Sequence, residues 1–253
     1  MGARRVRAAV AVVRSLPESD PGPPPSGVRV SFVVPALNEA TLVTTSLQAL
    51  SVYRRNGHEV LLVDGGSCDG TAELAQPLVD AVIPSARGRA RQMNTGARHA
   101  TGSLLVFLHI DTRLDTEAFE ALLRATVAAP GRWGRFDVRL EPSRGILPVI
   151  ARFMNLRSRL TGIATGDQAM FADRRLFERV GGFPEIPLME DVALSACLKH
   201  QCAPLCLRKT VTSSARKWLD QGVLKTMVMM WILRSAFALG VDPHKLHRIY
   251  YRT

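Results

Sequence analysis

The sequence predicts an α/β fold in which helices cover both faces of a mostly parallel sheet. Three observations point to it. Short apolar runs alternate with helical patterns through the first half of the chain. Those runs are mostly apolar, as strands buried on both faces are. The polar residues that interrupt the pattern gather where the runs end.

The elements follow in order. Val28 to Pro35 (VRVSFVVP) reads as a buried strand. Thr41 to Tyr53 follows as a helix with Val43, Leu47 and Leu50 on one face. Val60 to Val63 is a second strand ending at Asp64, and Thr71 to Leu78 a second helix. Ala81 to Pro84 is a short strand, and Arg89 to Ala100 a helix with Met93, Ala97 and Ala100 inward. Ser103 to Leu108 (SLLVFL) is an apolar strand, followed by a helix from Asp115 to Ala129. The second half is less regular. Strands are expected at Trp133 to Leu140, Gln168 to Ala172 and Leu205 to Val211. Helices are expected at Ile146 to Leu160, Met189 to Lys199 and Gly222 to Leu239.

Three units emerge: a basic extension with a Pro-rich linker (1–27), a folded domain (28–219, divided near 112), and a C-terminal hydrophobic helix with its tail (220–253). The linker Pro17 to Gly27 holds five prolines and two glycines. The acid-free start, Met1 to Pro17, reads as an organellar transit segment, or Val6 to Leu16 within it as a short arginine-rich helix on a membrane or in solution. No run of about 18 uncharged apolar residues exists, so no ordinary transmembrane helix is expected. Leu224 to Leu239 combines MVMMWIL with Lys225 and Arg234. It suits a peripheral membrane contact as well as a core-packing helix.

Of 253 residues, 47% are hydrophobic and 22% charged, which excludes whole-chain disorder. A net charge of +11 favours anionic partners. Only 6% of residues are aromatic and no nucleic-acid-binding signature appears, so nucleic acid is not the expected partner. Cys68, Cys197, Cys202 and Cys206 form no CxxC pair and read as reduced thiols of a cytoplasmic protein. The competing reading is a zinc site of Cys197, Cys202, Cys206 and His200.

Chemistry is expected at four places. Asp64 to Thr71 (DGGSCDGT) closes the second strand with carboxylates and glycines, Gly66 among them, that let a ligand approach the backbone. It reads equally as a tight turn with a helix cap. His109-Ile110-Asp111 ends the apolar strand, where a carboxylate can bridge Mg²⁺ or Mn²⁺ to a diphosphate. Gly166-Asp167-Gln168 and Glu190-Asp191 supply three more carboxylates, suited to a general base or to the dipole of a helix start. Arg87 to Gly96 (RGRARQMNTG), with Arg91 and Asn94, is a basic segment for phosphate or ribose.

Together VVPALNEA, VDGGSCDGT, FLHIDT, GDQAMF, GGFPE and MEDV resemble family 2 glycosyltransferases, in order from about Val30 to Trp218. The subgroup with HxD in place of DxD, of radical-SAM-associated or arsenosugar-biosynthesis type, is the nearer likeness. The ending SARKW with GVLKT is similar to it too. The resemblance implies a GT-A fold and a transferase that inverts configuration. It implies a nucleotide diphosphate sugar as donor and a small-molecule or lipid acceptor. Pro35, Glu39 and Asp64 match positions around the base and ribose. Asp111 matches the last acid of DxD, with His109 replacing the first, so a Mg²⁺ or Mn²⁺ ion would have one carboxylate fewer. Asp191, beside Glu190, matches the catalytic base. Gly166, Asp167 and Gln168 match the acceptor side. Arg216 and Trp218 resemble a degenerate QxxRW element.

Three rival readings remain open: an inactive nucleotide-binding relative, suggested by His109; a basic nucleic-acid-binding protein; and a nucleotidyltransferase. The last lacks its glycine-rich loop with lysine after strand one, where ALNEA stands.

Overall fold

In the computed structural model, residues 27–252 and the two-residue strand Val13–Arg14 are described. The rest of the expected extension and linker lies outside the described residues. The strands are β1 (Val13–Arg14), β2 (Val30–Ala36), β3 (Glu59–Asp64), β4 (Ala81–Pro84), β5 (Leu104–Phe107), β6 (Thr112–Arg113), β7 (Trp133–Glu141), β8 (Met170–Asp173) and β9 (Leu205–Ser214). They form one sheet in the order β1-β4-β3-β2-β5-β8-β7-β9-β6. β4, β3, β2 and β5 run parallel, as the alternation of strands and helices requires. β8 then joins β5 antiparallel and β7 joins β8 antiparallel, while β7 and β9 run parallel.

The helices are α1 (Ala40–Arg55), α2 (Thr71–Ala75), α3 (Arg89–His99), α4 (Thr116–Ala128), α5 (Leu147–Thr161), α6 (Arg174–Arg179), α7 (Glu190–Gln201), α8 (Arg216–Gln221), α9 (Val223–Ala238) and α10 (Pro243–Arg252). Alternate residues of the strands feed two cores. Phe32 and Val34 pack with Leu47 of α1, Phe119 of α4 and Ile150 of α5 on one face. Val33, Leu61 and Val63 pack with Met93 of α3, Phe177 of α6 and Leu194 of α7 on the other.

α3 lies very close to the sheet. A Cβ at Gly96 would lie 2.8 Å from Val63 Cγ2 and nearer still to Val33 Cγ1, so only glycine fits.

The C-terminal segment forms more than one helix with a tail. α10 packs on α9, with Met189, Leu233 and Leu246 as a third small core. In α9 only Thr226 and Leu233 are buried. Leu224, Val228, Trp231 and Ile232 are exposed. No helix among the described residues is long and apolar enough to cross a membrane.

Candidate active site

The carboxyl ends of β2 and β5 open onto a cavity of about 910 Å³. Pro35, Glu39, Arg91, His109, Asp111, Gly166, Asp167, Glu190, Asp191 and Trp218 all line it. α9 and α10 supply the opposite wall, through residues that include Arg234, His247 and Tyr250. The parallel half of the sheet delivers Glu39 and Asp111, and the antiparallel half delivers Gly166 to Asp191.

Asp64, Gly66, Asn94, Gln168 and Arg216 do not line the cavity. Asp64 holds its own turn: Oδ2 accepts from the backbone N–H groups of Gly66 and Ser67, each at 3.0 Å. The next loop is stitched to the β2 exit. Asn38 N donates to Ser67 Oγ at 2.9 Å, and Glu39 N donates to Thr71 Oγ1 at 2.8 Å. Asn94 spends its amide on the backbone of Phe183, donating at 2.8 Å and accepting at 2.9 Å. Gln168 is fully buried and accepts from Thr165 N at 3.3 Å. Arg216 stands behind Glu39, with 3.6 Å between Nη2 and Oε2.

Burial pushes the Glu39 carboxyl up; Arg216 draws it down, and the charge on Asp111 pushes it up again. The Asp111 carbonyl accepts from Ser214 N at 3.1 Å, and Thr112 pairs with Ser213. The short β6 therefore pins Asp111 to the cavity floor.

His109 and the turn after α5 are locked together. A Cβ at Gly166 would lie 2.5 Å from His109 Nε2, so that edge of the ring rests on bare backbone. Nδ1 lies 3.8 Å from Asp167 Oδ1. Gly166 N then donates to Asp191 Oδ2 at 2.8 Å, and Val192 N donates to Oδ1 at 2.7 Å. Met189, at φ 67°, occupies the left-handed region just before α7 begins. That backbone, together with Asn38 (φ 55°) and Ala169 (φ 45°), concentrates strained conformations around the cavity.

Glu190 and Asp191 are adjacent but differently placed. Burial, and then the charge of Asp191, push the Glu190 carboxyl up to about 7. Arg89 draws it back. Burial opposes the charge on Arg89 itself, but Glu190, Tyr251, Asp167 and Asp191 outweigh it and raise its pKa.

Sequence reasoning missed Arg89, Arg234 and the α10 residues. Arg89 stood within the basic segment, but nothing in the spacing separated it from Arg87 and Arg91. The α10 signal was present: Asp242-Pro243 is a helix-start pattern, and Leu246 and Tyr250 are one turn apart.

The zinc reading does not hold. All four cysteines are free, and no group of three or more His, Cys, Asp or Glu among the described residues is placed to hold a metal ion. A cation beside Asp111 would therefore have at most His109 and Asp111 as side-chain ligands. That suits Mg²⁺ or Mn²⁺, which take one or two protein ligands and complete their shell with phosphate and water oxygens.

The sheet, with acids at its strand ends and a basic rim, defines a GT-A-type fold. A mannosyltransferase from Pyrobaculum calidifontis, solved with GDP-Man and Mn²⁺, superposes with a TM-score of 0.61 at 24% identity, covering 86% of this chain and 64% of that one. Residues 31–181 match Glycosyl transferase family 2, and the chain belongs to that family.

Glycosyltransferase AglE of Haloferax volcanii is 34% identical over 91 residues, 32% of this chain and 30% of its own length. A PGL/p-HBAD biosynthesis glycosyltransferase of Mycobacterium bovis is 34% identical over 157 residues, 59% of this chain and 54% of its own. The chain thus spans about half or less of the length of these curated relatives.

Proposed function

We propose that the chain is an inverting glycosyltransferase that moves a sugar from a nucleotide diphosphate sugar to an acceptor hydroxyl, with Asp191 as general base. One observation carries this reading. Asp191 and Asp111 face a single cavity, and Asp191 is held by two backbone N–H groups. A base must be aimed before it can act. The bonds from Gly166 and Val192 fix the Asp191 carboxylate, which takes the proton from the acceptor hydroxyl. That oxygen attacks the anomeric carbon from the face opposite the diphosphate. Glu190, raised to about 7 by burial and by Asp191, carries its negative charge only in part at neutral pH, which limits repulsion of Asp191.

Arg87, Arg89 and Arg91 line the same cavity and supply positive charge to the leaving diphosphate. Asp111, with His109 beside it, would hold Mg²⁺ or Mn²⁺. The ion when bound supplies further charge stabilisation to the diphosphate. The Pyrobaculum enzyme, solved in complex with GDP-Man and Mn²⁺, supports this. The His109-Ile110-Asp111 sequence favours the HxD subgroup, of radical-SAM-associated or arsenosugar-biosynthesis type.

The acceptor is a small molecule or a lipid. A lipid is favoured by the exposed apolar residues of α9 (Leu224, Val228, Trp231, Ile232) and α5 (Val149, Phe153, Leu156, Leu160), which suit peripheral contact with a bilayer. Sedimentation with vesicles tests that contact. The transferase reading is tested by turnover over a panel of UDP- and GDP-sugars with and without Mn²⁺, with product configuration read by NMR. Asp191→Asn should lower kcat by about 10²- to 10⁴-fold with the fold intact. Full turnover by that variant would remove Asp191 as the base.

A further inference from the structure

The α9 wall of the cavity carries a cation with no carboxylate paired to it. Arg234 lines the cavity and makes no ion pair among the described residues. Behind it stands Arg157 of α5, whose Nε and Nη2 are both buried without a hydrogen-bond partner. Thr226 Oγ1, on the same wall, is also buried and unpartnered. α5, α9 and α10 contain no Asp or Glu at all.

Burial, and then the charge of Arg234, pull the Arg157 pKa down to about 10, so it stays cationic at neutral pH. The one carboxylate that offsets this is Asp191, which already accepts from two backbone N–H groups. A guanidinium with unmade hydrogen bonds in a half-buried place is stabilised when an anion arrives. The loop before α3 and the first turn of α3 already offer Arg87, Arg89 and Arg91 to the donor diphosphate. Arg157 and Arg234 come from α5 and α9 instead, and Arg157 is close enough to feel the charge of Asp191, where the acceptor hydroxyl must be.

We infer that Arg234, backed by Arg157, forms a subsite for a phosphate ester carried by the acceptor. This rests on Asp191 marking the acceptor side. The fork of Arg234 would bind the phosphate oxygens at the cavity surface, and Arg157 would hold the local potential positive. The phosphate can belong to a soluble acceptor or to a lipid headgroup; both present the same oxygens.

The test uses the full chain saturated with UDP or GDP, whichever raises its Tm. The probes are glycerol 3-phosphate against glycerol, and phosphatidylcholine vesicles with against without phosphatidic acid. One phosphorylated probe should bind and its neutral twin should not; which one binds distinguishes the soluble source from the lipid. Arg234→Gln should weaken that binding at least tenfold and leave nucleotide affinity within twofold. Arg157→Gln should act in the same direction. Arg124→Gln, on the exposed face of α4, should change nothing. If Arg157→Gln fails to fold, Arg234→Gln decides alone. Unchanged phosphate binding in Arg234→Gln overturns the subsite, and so does a parallel fall in nucleotide affinity. If wild type binds no nucleotide, the transferase reading fails, and the same titrations on the free protein still decide the subsite.

Discussion

Gly166→Ala should disable the site without adding or removing a charge. Gly166 has no left-handed backbone to lose, so alanine is permitted there on conformational grounds. The obstacle is contact. The new Cβ would lie 2.5 Å from His109 Nε2, against an ordinary non-bonded separation of about 3.5 Å. The ring or the turn must therefore yield by roughly 1 Å. If the turn yields, the Gly166 N to Asp191 Oδ2 bond, now 2.8 Å, stretches beyond hydrogen-bond reach. A base misplaced by about 1 Å costs roughly 10²-fold in rate. The assay is kcat and KM for the nucleotide sugar, with Tm recorded alongside. We expect kcat to fall by about 10²-fold, KM for the donor to move little, and the protein to stay folded. A folded Gly166→Ala enzyme with wild-type kcat would refute the claim that this turn aims Asp191.

The remaining predictions concern charge. His58 is buried, and burial followed by Arg29 holds its pKa down at about 4 against an ordinary 6.5. The folded state thus favours the neutral ring, and stability present above pH 6.5 should fall by up to about 3 kcal/mol as pH drops through 4. Chemical denaturation at pH 7 and pH 4 checks it, with His58→Gln expected to flatten the difference. Glu190 has the opposite sign: its folded-state pKa is raised to about 7, so its burden on stability grows as pH rises from 4.5 to 7. Glu190→Gln should remove that slope in a Tm-against-pH series. Asp137 accepts from Arg135, which is fully buried, and from Arg159 at 2.6 Å. Asp137→Ala should cost about 3–5 kcal/mol in urea denaturation, because it strands a buried guanidinium.

The first half of the fold was legible because its strands are buried on both faces. All six residues of β3 are buried, and an apolar run ending in Asp64 can hardly be read otherwise. The antiparallel insertion of β8 was not legible, since strand direction depends on how the chain returns to the sheet. β6 has two residues and α6 has six, too few to show a period. At the site, acids at strand ends and helix starts announced themselves by interrupting apolar patterns. Asn94 and Gln168 shared those segments, yet their side chains are spent on bracing loops. Spacing alone does not separate a polar residue that faces a ligand from one that braces a loop. Arg157 stood out even less: in the sequence it is one of several arginines along α5, and only its missing partners distinguish it.

Gly96 has a reach that its place, well behind the cavity, conceals. It sets how deep α3 sinks into the sheet, and α3 begins at Arg89. Any side chain there would lift the helix like a shim under a lever and carry the arginine-bearing end away from the strand ends. On the proposed mechanism, stabilisation of the leaving group would thus depend on a residue whose nearest neighbours are two valines of the sheet.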